Sequence, residues 1–388
     1  MKTRDRAGGE SGCFTLIREK TEKDPAALSE SASPAPLVAI SILNWNGWED
    51  SLECLESVRR LDYPNYLTVV VDNGSSNGSA DKIKAWAEAN LGPGHVLADY
   101  SRETALAGGD PETEQALDRT PSPARMVLIR NEENLGFTGG NNVAIHYEFA
   151  RIKPARYALF LNNDCTPKED ALRELVATET ESQAGVVGAV ILSKENPSER
   201  YEGPFFLTPS FFLIRSIPVR PHPPKGQKYW PSDYVAGTAM LIRSEVLEKI
   251  HRSTGEYLSD KLYLYWDDQL FCHQARREGF SPVFARDALV YHRWGGSIDG
   301  IALNYYLARN KIFVANMALP FRWKLLFHCF NVPVGAVRVV RLALRGKVPV
   351  SRAMFWGMVD GYCSRGGKWK HHNSAAKRVV HPAHATLE

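Results

Sequence analysis

The sequence predicts an α/β fold: a mixed, mostly parallel central sheet flanked by helices. Three observations predict it. Short apolar runs alternate along the chain with stretches of helical period, as in successive β-α units. The runs are apolar almost throughout rather than at every second residue, so both faces of each strand are covered. Several of them end abruptly in Asn, Asp and Gly, the residues that collect where an α/β sheet presents its carboxyl edge to a ligand.

The first strand is LVAISILNWNG, Leu37 to Gly47. A helix follows from Trp48 to about Leu61, with Leu52, Leu55, Val58 and Leu61 at helical spacing, and Tyr63-Pro64 closes it. LTVVVDNGSSNGS supplies the second strand and its turn, and DKIKAWAEAN the second helix. From about Ala98 to Ala124, Gly, Pro, Asp, Glu and Thr dominate with little periodicity, which predicts an inserted surface loop. MVLIRN is a short third strand, and NLGFTGGNNVAIHYEFA runs from a Gly-rich turn into a helix. Tyr157 to Asp164 is the fourth strand and Ala184 to Leu192 the fifth. The Pro- and aromatic-rich segment Gly203 to Pro231 reads as irregular, after which DYVAGTAMLIRSEVLEKI returns to strand and helix. Residues 1–36 mix charges with Ser, Ala and Pro and carry no apolar period, so a disordered tail is expected there. The organisation is thus a tail over 1–36, a catalytic body over 37–320 interrupted at about 98–124, and a basic helical extension over 321–388.

Composition narrows the function. With 44% hydrophobic and 23% charged residues, the 388-residue chain is an ordinary globular protein with a sizeable core. Its net charge of +3 is unevenly spread: twelve Lys or Arg against Asp360 and Glu388 leave about +10 from Phe321 onward, hence about −7 before it. Such a tail suits an anionic surface or substrate rather than base-specific reading of nucleic acid. No stretch approaches the roughly 18 apolar residues of a membrane span, and no signal-peptide core opens the chain. The six cysteines form no CxxC pair, which predicts reduced thiols in a cytosolic setting.

Chemistry concentrates at strand ends. In YALFLNNDCTP, Asn162, Asn163 and Asp164 break out of the apolar strand, and Pro167 stops it. A carboxylate at that edge can hold a metal ion against a diphosphate; alone it could equally be an Asx turn. The first strand ends in Asn44-Trp45-Asn46-Gly47 and the second in Asp72-Asn73-Gly74-Ser75. An indole can stack on a nucleobase and a carboxylate can accept a ring N–H; a core aromatic and a turn-capping Asp are the plainer readings. Placed at neighbouring strand ends, the pair favours a nucleotide. In NLGFTGGNN, Gly136, Phe137, Gly139, Gly140 and Asn141 open a helix whose N–H groups can face a diphosphate or ribose, or simply begin the helix. Neither GK[ST] nor GxGxxG is present, which argues against an ATPase or a nicotinamide enzyme. In LYLYWDDQLFCHQARREGF, Asp267 and Asp268 stand at a helix start, where the dipole favours anions; one of them serves as general base, or the two only cap the helix. ALVYHRWGGS ends a strand at His292, which could complete a metal shell, touch phosphate or be structural.

Taken in order, SILNWNG, VVDNGSSNGS, NEENLGFTGGNN, LFLNND, VVGA, VAGTAMLIRSEV, YWDDQLFCHQARREGF, His292 and YYLARNK resemble the family 2 inverting glycosyltransferases of GT-A fold, in particular their rhamnosyltransferase-like branch. The resemblance covers roughly Leu37 to Lys311. It implies a GT-A, Rossmann-like sheet and a nucleotide-sugar donor, dTDP- or UDP-linked, whose base meets Asp72 beside Asn44 and Trp45, with Asn46, Asn163 and the glycine turn lining the donor site. It implies that Asp164, the last acid of a DxD-like motif, binds Mg2+ or Mn2+ with His292, and that Asp268 is the catalytic base beside Asp267. The acceptor implied is a polysaccharide or lipid-linked glycan at the cytoplasmic face of a bacterial membrane. Departures are Asn162 at the first DxD position, Asp267-Asp268-Gln269-Leu270 in place of the family's ED-x-D-L, which loses the third acid, and Gln274 in place of an Arg.

In FRWKLLFHCFNVPVGAVRVVRLALRGK, Phe327, Phe330, Val334, Val337, Val340, Leu342 and Leu344 can line one side while Arg338, Arg341 and Arg345 present charge. That pattern predicts either a helix lying on anionic lipid or one packed on the body with solvated charges. Two other functions share parts of this chemistry. A nucleotidyltransferase would need a basic Gly-rich loop after the first strand, where NWNGWEDS offers no Lys or Arg, and a non-catalytic nucleotide-sugar-binding homologue would not need Asp164 and Asp268.

Overall fold

Val38 to Asn44 is apolar but for Ser41 and its last residue, and it becomes the central strand β1 of the computed structural model, which describes residues 34–196, 200–207, 214–216, 227–293 and 300–370. Of the tail expected over 1–36, residues 1–33 lie outside the described residues, as does the end of the extension. The chain continues through α1 (Trp48–Val58), β2 (Tyr66–Asn73), α2 (Ser79–Asn90), β3 (Val96–Ser101), α3 (Arg102–Leu106), α4 (Pro111–Arg119) and β4 (Arg125–Asn131). Next come α5 (Gly136–Ala150), β5 (Tyr157–Asn162), β6 (Cys165–Pro167), α6 (Ala171–Ser182), β7 (Val186–Ser193) and the short strands β8 (Arg200–Glu202), β9 (Phe205–Leu207), β10 (Ile214–Ser216) and β11 (Tyr229–Pro231). The last elements are β12 (Ala239–Arg243), α7 (Ser244–Thr254), α8 (Asp267–Arg277), β13 (Val283–His292), α9 (Gly300–Ala318), α10 (Phe321–Leu344) and α11 (Val348–Tyr362).

The main sheet runs in the order β11-β13-β7-β12-β5-β1-β2-β4-β3, with β6 on β13 and β8 on β7. From β13 to β3 only β12 runs against the rest, pairing antiparallel with both β5 and β7, so the body is a mostly parallel α/β sheet as predicted. Every residue of β2 is buried, because helices cover both faces. On one face Leu67, Val69, Val71, Val127 and Ile129 pack with Val143, Ala144 and Tyr147 of α5. Beyond β12 a second core gathers Phe160, Val190, Met240, Ile242, Phe271 and Phe284. Strand β13 breaks register along β7: Phe284 pairs with Gly188 and Leu289 with Val190, so five steps of one strand answer two of the other.

The segment 98–124 is not the irregular loop its composition predicts. It holds the end of β3, which extends the sheet beside β4, followed by α3 and α4. Its apolar period is weak because α4 turns inward one carboxylate, Glu114, beside the single apolar Leu117. Glu114 is buried at 1% exposure and accepts hydrogen bonds from Tyr100 Oη (3.0 Å), Tyr147 Oη (2.8 Å) and Arg151 Nε (2.7 Å). The 203–231 segment likewise contains β9, β10 and β11 among its described residues.

Helices α9 and α11 pack closely, and Gly357 permits it: a Cβ there would meet the Tyr305 carbonyl at 2.4 Å. Helix α10 contributes Phe327 and Gly335 to that assembly and leaves most of its surface open, with Phe321, Leu325, Phe330, Val334, Val337, Val340 and Leu344 exposed. Contrary to the expectation from composition, this helix, among the described residues, is long and apolar enough to cross a membrane by length and composition.

Candidate active site

Register brings the polar strand ends together. Asn44 stands opposite Asp72 across β1–β2, and Leu43 opposite Asn162 across β1–β5, so three carboxyl ends share one edge. The turn after β1 is tied down by its own side chains. Asn44 Nδ2 donates to Asp72 Oδ1 at 2.6 Å, and Asn44 Oδ1 accepts from Ser51 Oγ at 2.9 Å and from the Gly47 N–H at 3.2 Å. The Ser75 N–H donates to Asp72 Oδ2 at 3.1 Å, and Asn46, in the left-handed region at φ 54°, accepts at Oδ1 from the Ser76 N–H. Asp72 is therefore buried and held from two sides, whereas Trp45 keeps 39% of its surface exposed at the rim. Asn163 Nδ2 closes the group by donating to Gly47 O and Ser51 Oγ at 3.2 and 3.0 Å.

The strand end at Asp164 meets a second polar end. Strand β6 turns back on β13 so that Cys165 pairs with His292, and the Arg293 N–H donates to Asp164 O at 3.1 Å. His292 Nε2 then lies 3.1 Å from Asp164 Oδ1, both largely buried. Asp164, Cys165 and His292 offer ligand atoms all within 4.8 Å of one another, so a divalent cation fits there. A carboxylate oxygen and an imidazole nitrogen suit Mn2+ better than Mg2+, which prefers an all-oxygen shell. Cys165 Sγ is turned to the Thr238 carbonyl at 3.7 Å. Two cations outside the sequence motifs stand beside this cluster: Lys194 pairs with Glu53 and approaches Thr166 Oγ1, and Arg293 pairs with Asp50 at 2.6 Å and Glu53 at 3.1 Å. Lys194 holds the Glu53 carboxyl below the usual range. Their only sequence signal was adjacency to a strand end.

The glycine turn has buried neighbours. A Cβ on Gly136 (φ 77°) would meet Tyr263 O at 2.4 Å, on Gly139 Leu135 Cβ at 2.8 Å, and on Gly140 Leu43 Cδ1 at 2.4 Å. The backbone approach these glycines permit is thus to the protein's own strand and loop, letting α5 seat on β1. Asn141 is buried, accepting from Ser41 Oγ at 3.1 Å and donating to Phe137 O at 2.9 Å; Phe137 is half-buried.

Asp267 and Asp268 open α8, as their position before a helical stretch predicts. Asp267 is buried, and burial pushes its carboxyl up from the ordinary 3.8 to about 6, partly opposed by backbone N–H donors. Asp268 is half-buried, its Oδ1 accepting the Gln269 N–H at 2.9 Å. The approach to this helix is strained: Tyr263, Tyr265 and Trp266 take φ of 64°, 66° and 69°, which costs about 1–3 kcal/mol per residue for side chains of this size. The loop connects to the other strand ends. The Phe137 N–H donates to Tyr263 O at 2.7 Å, and Asn73 Nδ2, next to Asp72, donates to Gly136 O at 3.0 Å.

The family model "Glycosyltransferase like family 2" matches residues 107–304 of the chain. Among characterised proteins, the chain is similar to the low-salt glycan biosynthesis hexosyltransferase Agl10 of Haloferax volcanii, at 26% identity over 61% of this chain and 75% of that protein. It is also similar to the galactofuranosyltransferase GlfT2 of Mycobacterium tuberculosis, at 23% identity over 66% of this chain and 42% of that protein, less than half of the longer relative. In three dimensions it is similar to the mannosyltransferase PcManGT of Pyrobaculum calidifontis, solved with GDP-Man and Mn2+, with a TM-score of 0.52 at 14% identity over 86% of this chain and 90% of that one.

Proposed function

The chain belongs to the glycosyltransferase-like family 2, and from that premise we propose that it moves a sugar, with inversion at the anomeric carbon, from a nucleoside diphosphate-sugar to a hydroxyl of a glycan or lipid-linked acceptor. The observation that carries the donor side is the Asp164–His292 contact at the carboxyl edge that also holds Asn44 and Asp72. A divalent cation there, Mn2+ by the chemistry of the donor set, would offset charge on the departing diphosphate. Trp45 offers an exposed indole face to the base, and Asp72 a carboxylate for its ring N–H, which uracil and thymine share. Asp268 takes the acceptor's proton: it is the accessible member of the acidic pair, while Asp267 is buried with a raised pKa.

Release of nucleoside diphosphate from a panel of UDP-, dTDP- and GDP-sugars, with and without EDTA, tests the reading. Turnover that needs Mn2+ and an acceptor supports it. Binding without turnover would leave a nucleotide-sugar-binding homologue, and pyrophosphate release from a nucleoside triphosphate a nucleotidyltransferase. Helix α10 supports a peripheral seat on an anionic membrane at its cytoplasmic side: its open face carries Phe321, Leu325, Val337, Val340 and Leu344, and Arg341 and Arg345 flank it. Cosedimentation with phosphatidylglycerol vesicles, reversed by salt and abolished by Val337→Glu with Val340→Glu, is the expected result.

A further inference from the structure

In the motif YYLARNK of α9 two side chains, Arg309 and Asn310, are completely buried. Asn310 Nδ2 spreads its two N–H groups over three carbonyl oxygens of one loop, Leu262 O and Leu264 O at 2.8 Å and Tyr265 O at 2.9 Å. Arg309 donates from Nη2 to Leu262 O at 2.9 Å and Lys261 O at 3.2 Å, from Nη1 to Gly367 O at 2.6 Å, and from Nε to Asn310 Oδ1 at 2.8 Å. Its guanidinium sits on the Tyr306 and Tyr305 rings at 4.9 and 5.2 Å. Among the described residues it forms no ion pair with a carboxylate, so its desolvated charge is met by carbonyl oxygens and π faces. Burial accordingly lowers its pKa from the ordinary guanidinium value.

The carbonyls captured belong to Lys261–Tyr265, the stretch that contains two of the three left-handed aromatic residues and leads within two residues to Asp267 and Asp268. The one carbonyl in the middle left to another partner, Tyr263 O, receives the N–H groups of Phe137 and Thr138 at the start of α5. Left-handed tyrosines and tryptophan persist only where surroundings over-determine them. Here the surroundings include, beside the α5 N–H groups on Tyr263 O, one amide and one guanidinium from α9.

We infer that Arg309 and Asn310 are positioning residues: they hold the strained loop so that Asp268 meets the acceptor hydroxyl at the right distance from the donor edge. This rests on Asp268 as base. A displacement of about 1 Å at a reacting group can cost on the order of 100-fold in rate, which sets the expected size of the effect.

The test is a double-mutant cycle, reading nucleoside diphosphate release with whichever sugar donor of the panel turns over. Asn310→Ala is expected to lower kcat about 10- to 100-fold with donor KM within about threefold of the parent. In the Asp268→Asn background the same change is expected to lower kcat by no more than about threefold, because the group it positions is gone. Losses that multiply, or a full kcat in folded Asn310→Ala, overturn the inference. Arg309→Lys keeps the buried charge but not the fork, carries the same expectations, and decides the matter where Asn310→Ala does not fold. If Asp268→Asn alone keeps parental turnover, the base assignment fails instead, which is a separate outcome.

Discussion

His292 Nε2 lies 3.1 Å from Asp164 Oδ1, joining the last residue of β13 to the turn after β5. If these atoms share a cation, removing the imidazole should leave the fold intact and weaken the ion. We expect His292→Ala to raise the Mn2+ concentration for half-maximal activity about 10- to 100-fold, and Asp164→Ala to abolish Mn2+-dependent activity. Titration of nucleoside diphosphate release with Mn2+ checks both; an unchanged midpoint in His292→Ala removes it from the site.

Asp268→Asn keeps size and the N–H contact from Gln269 but cannot accept a proton. Turnover should fall about 10²- to 10⁴-fold while nucleotide affinity, read by calorimetry with the product diphosphate, changes little. Wild-type kcat in this variant would reject the assignment.

Two buried acids should mark the pH dependence of stability. Burial raises Asp267 from 3.8 to about 6 and Glu148 from 4.5 to about 7. Their folded pKa values exceed the unfolded ones, so the folded state retains protons the unfolded state has released. Their contribution is therefore full at pH below about 4 and is lost as pH rises through about 6 to 7. Denaturation midpoints of Asp267→Asn and Glu148→Gln, compared with the parent at pH 5 and pH 8, should show the variants gaining relative stability at the higher pH.

Arg151 meets Glu114 at 2.7 Å with both side chains 1% exposed, and Asp118 at 2.9 Å. Arg151→Met alone strands the Glu114 carboxylate and should cost about 3–5 kcal/mol. The double change Arg151→Met with Glu114→Leu should recover most of it, measured by urea denaturation. Excising 102–119 should likewise prevent folding, since Leu117 and Ala105 are fully buried there.

What was legible in the sequence follows from how each feature is encoded. Strands β1, β2 and β5 announce themselves by apolar runs and their ends by Asn and Asp, so Asn44, Asp72 and Asp164 were found at the edge where register places them. The proximity of His292 to Asp164 needed the β6 turnback, three residues too short to show a period. Helix α4 is weakly encoded because only Leu117 marks its inner face as apolar, and its other inward residue, Glu114, reads as solvent-facing until Tyr100, Tyr147 and Arg151 are seen around it. The left-handed run at Tyr263, Tyr265 and Trp266 had no local signal at all. Aromatic residues do not advertise positive φ, and the amide that supports them lies in α9.

The irregular stretch of β13 between Phe284 and Leu289 carries a further consequence. Side chains alternate along a strand, so the number of residues looped out there decides whether His292 or its neighbour Tyr291 turns toward Asp164. The Asp164–His292 contact is thus written in a length, not only in an identity. A one-residue insertion in Ala285–Ala288 would put Tyr291 where His292 now stands, a phenol for an imidazole, without changing Asp164, Cys165 or His292 in the sequence.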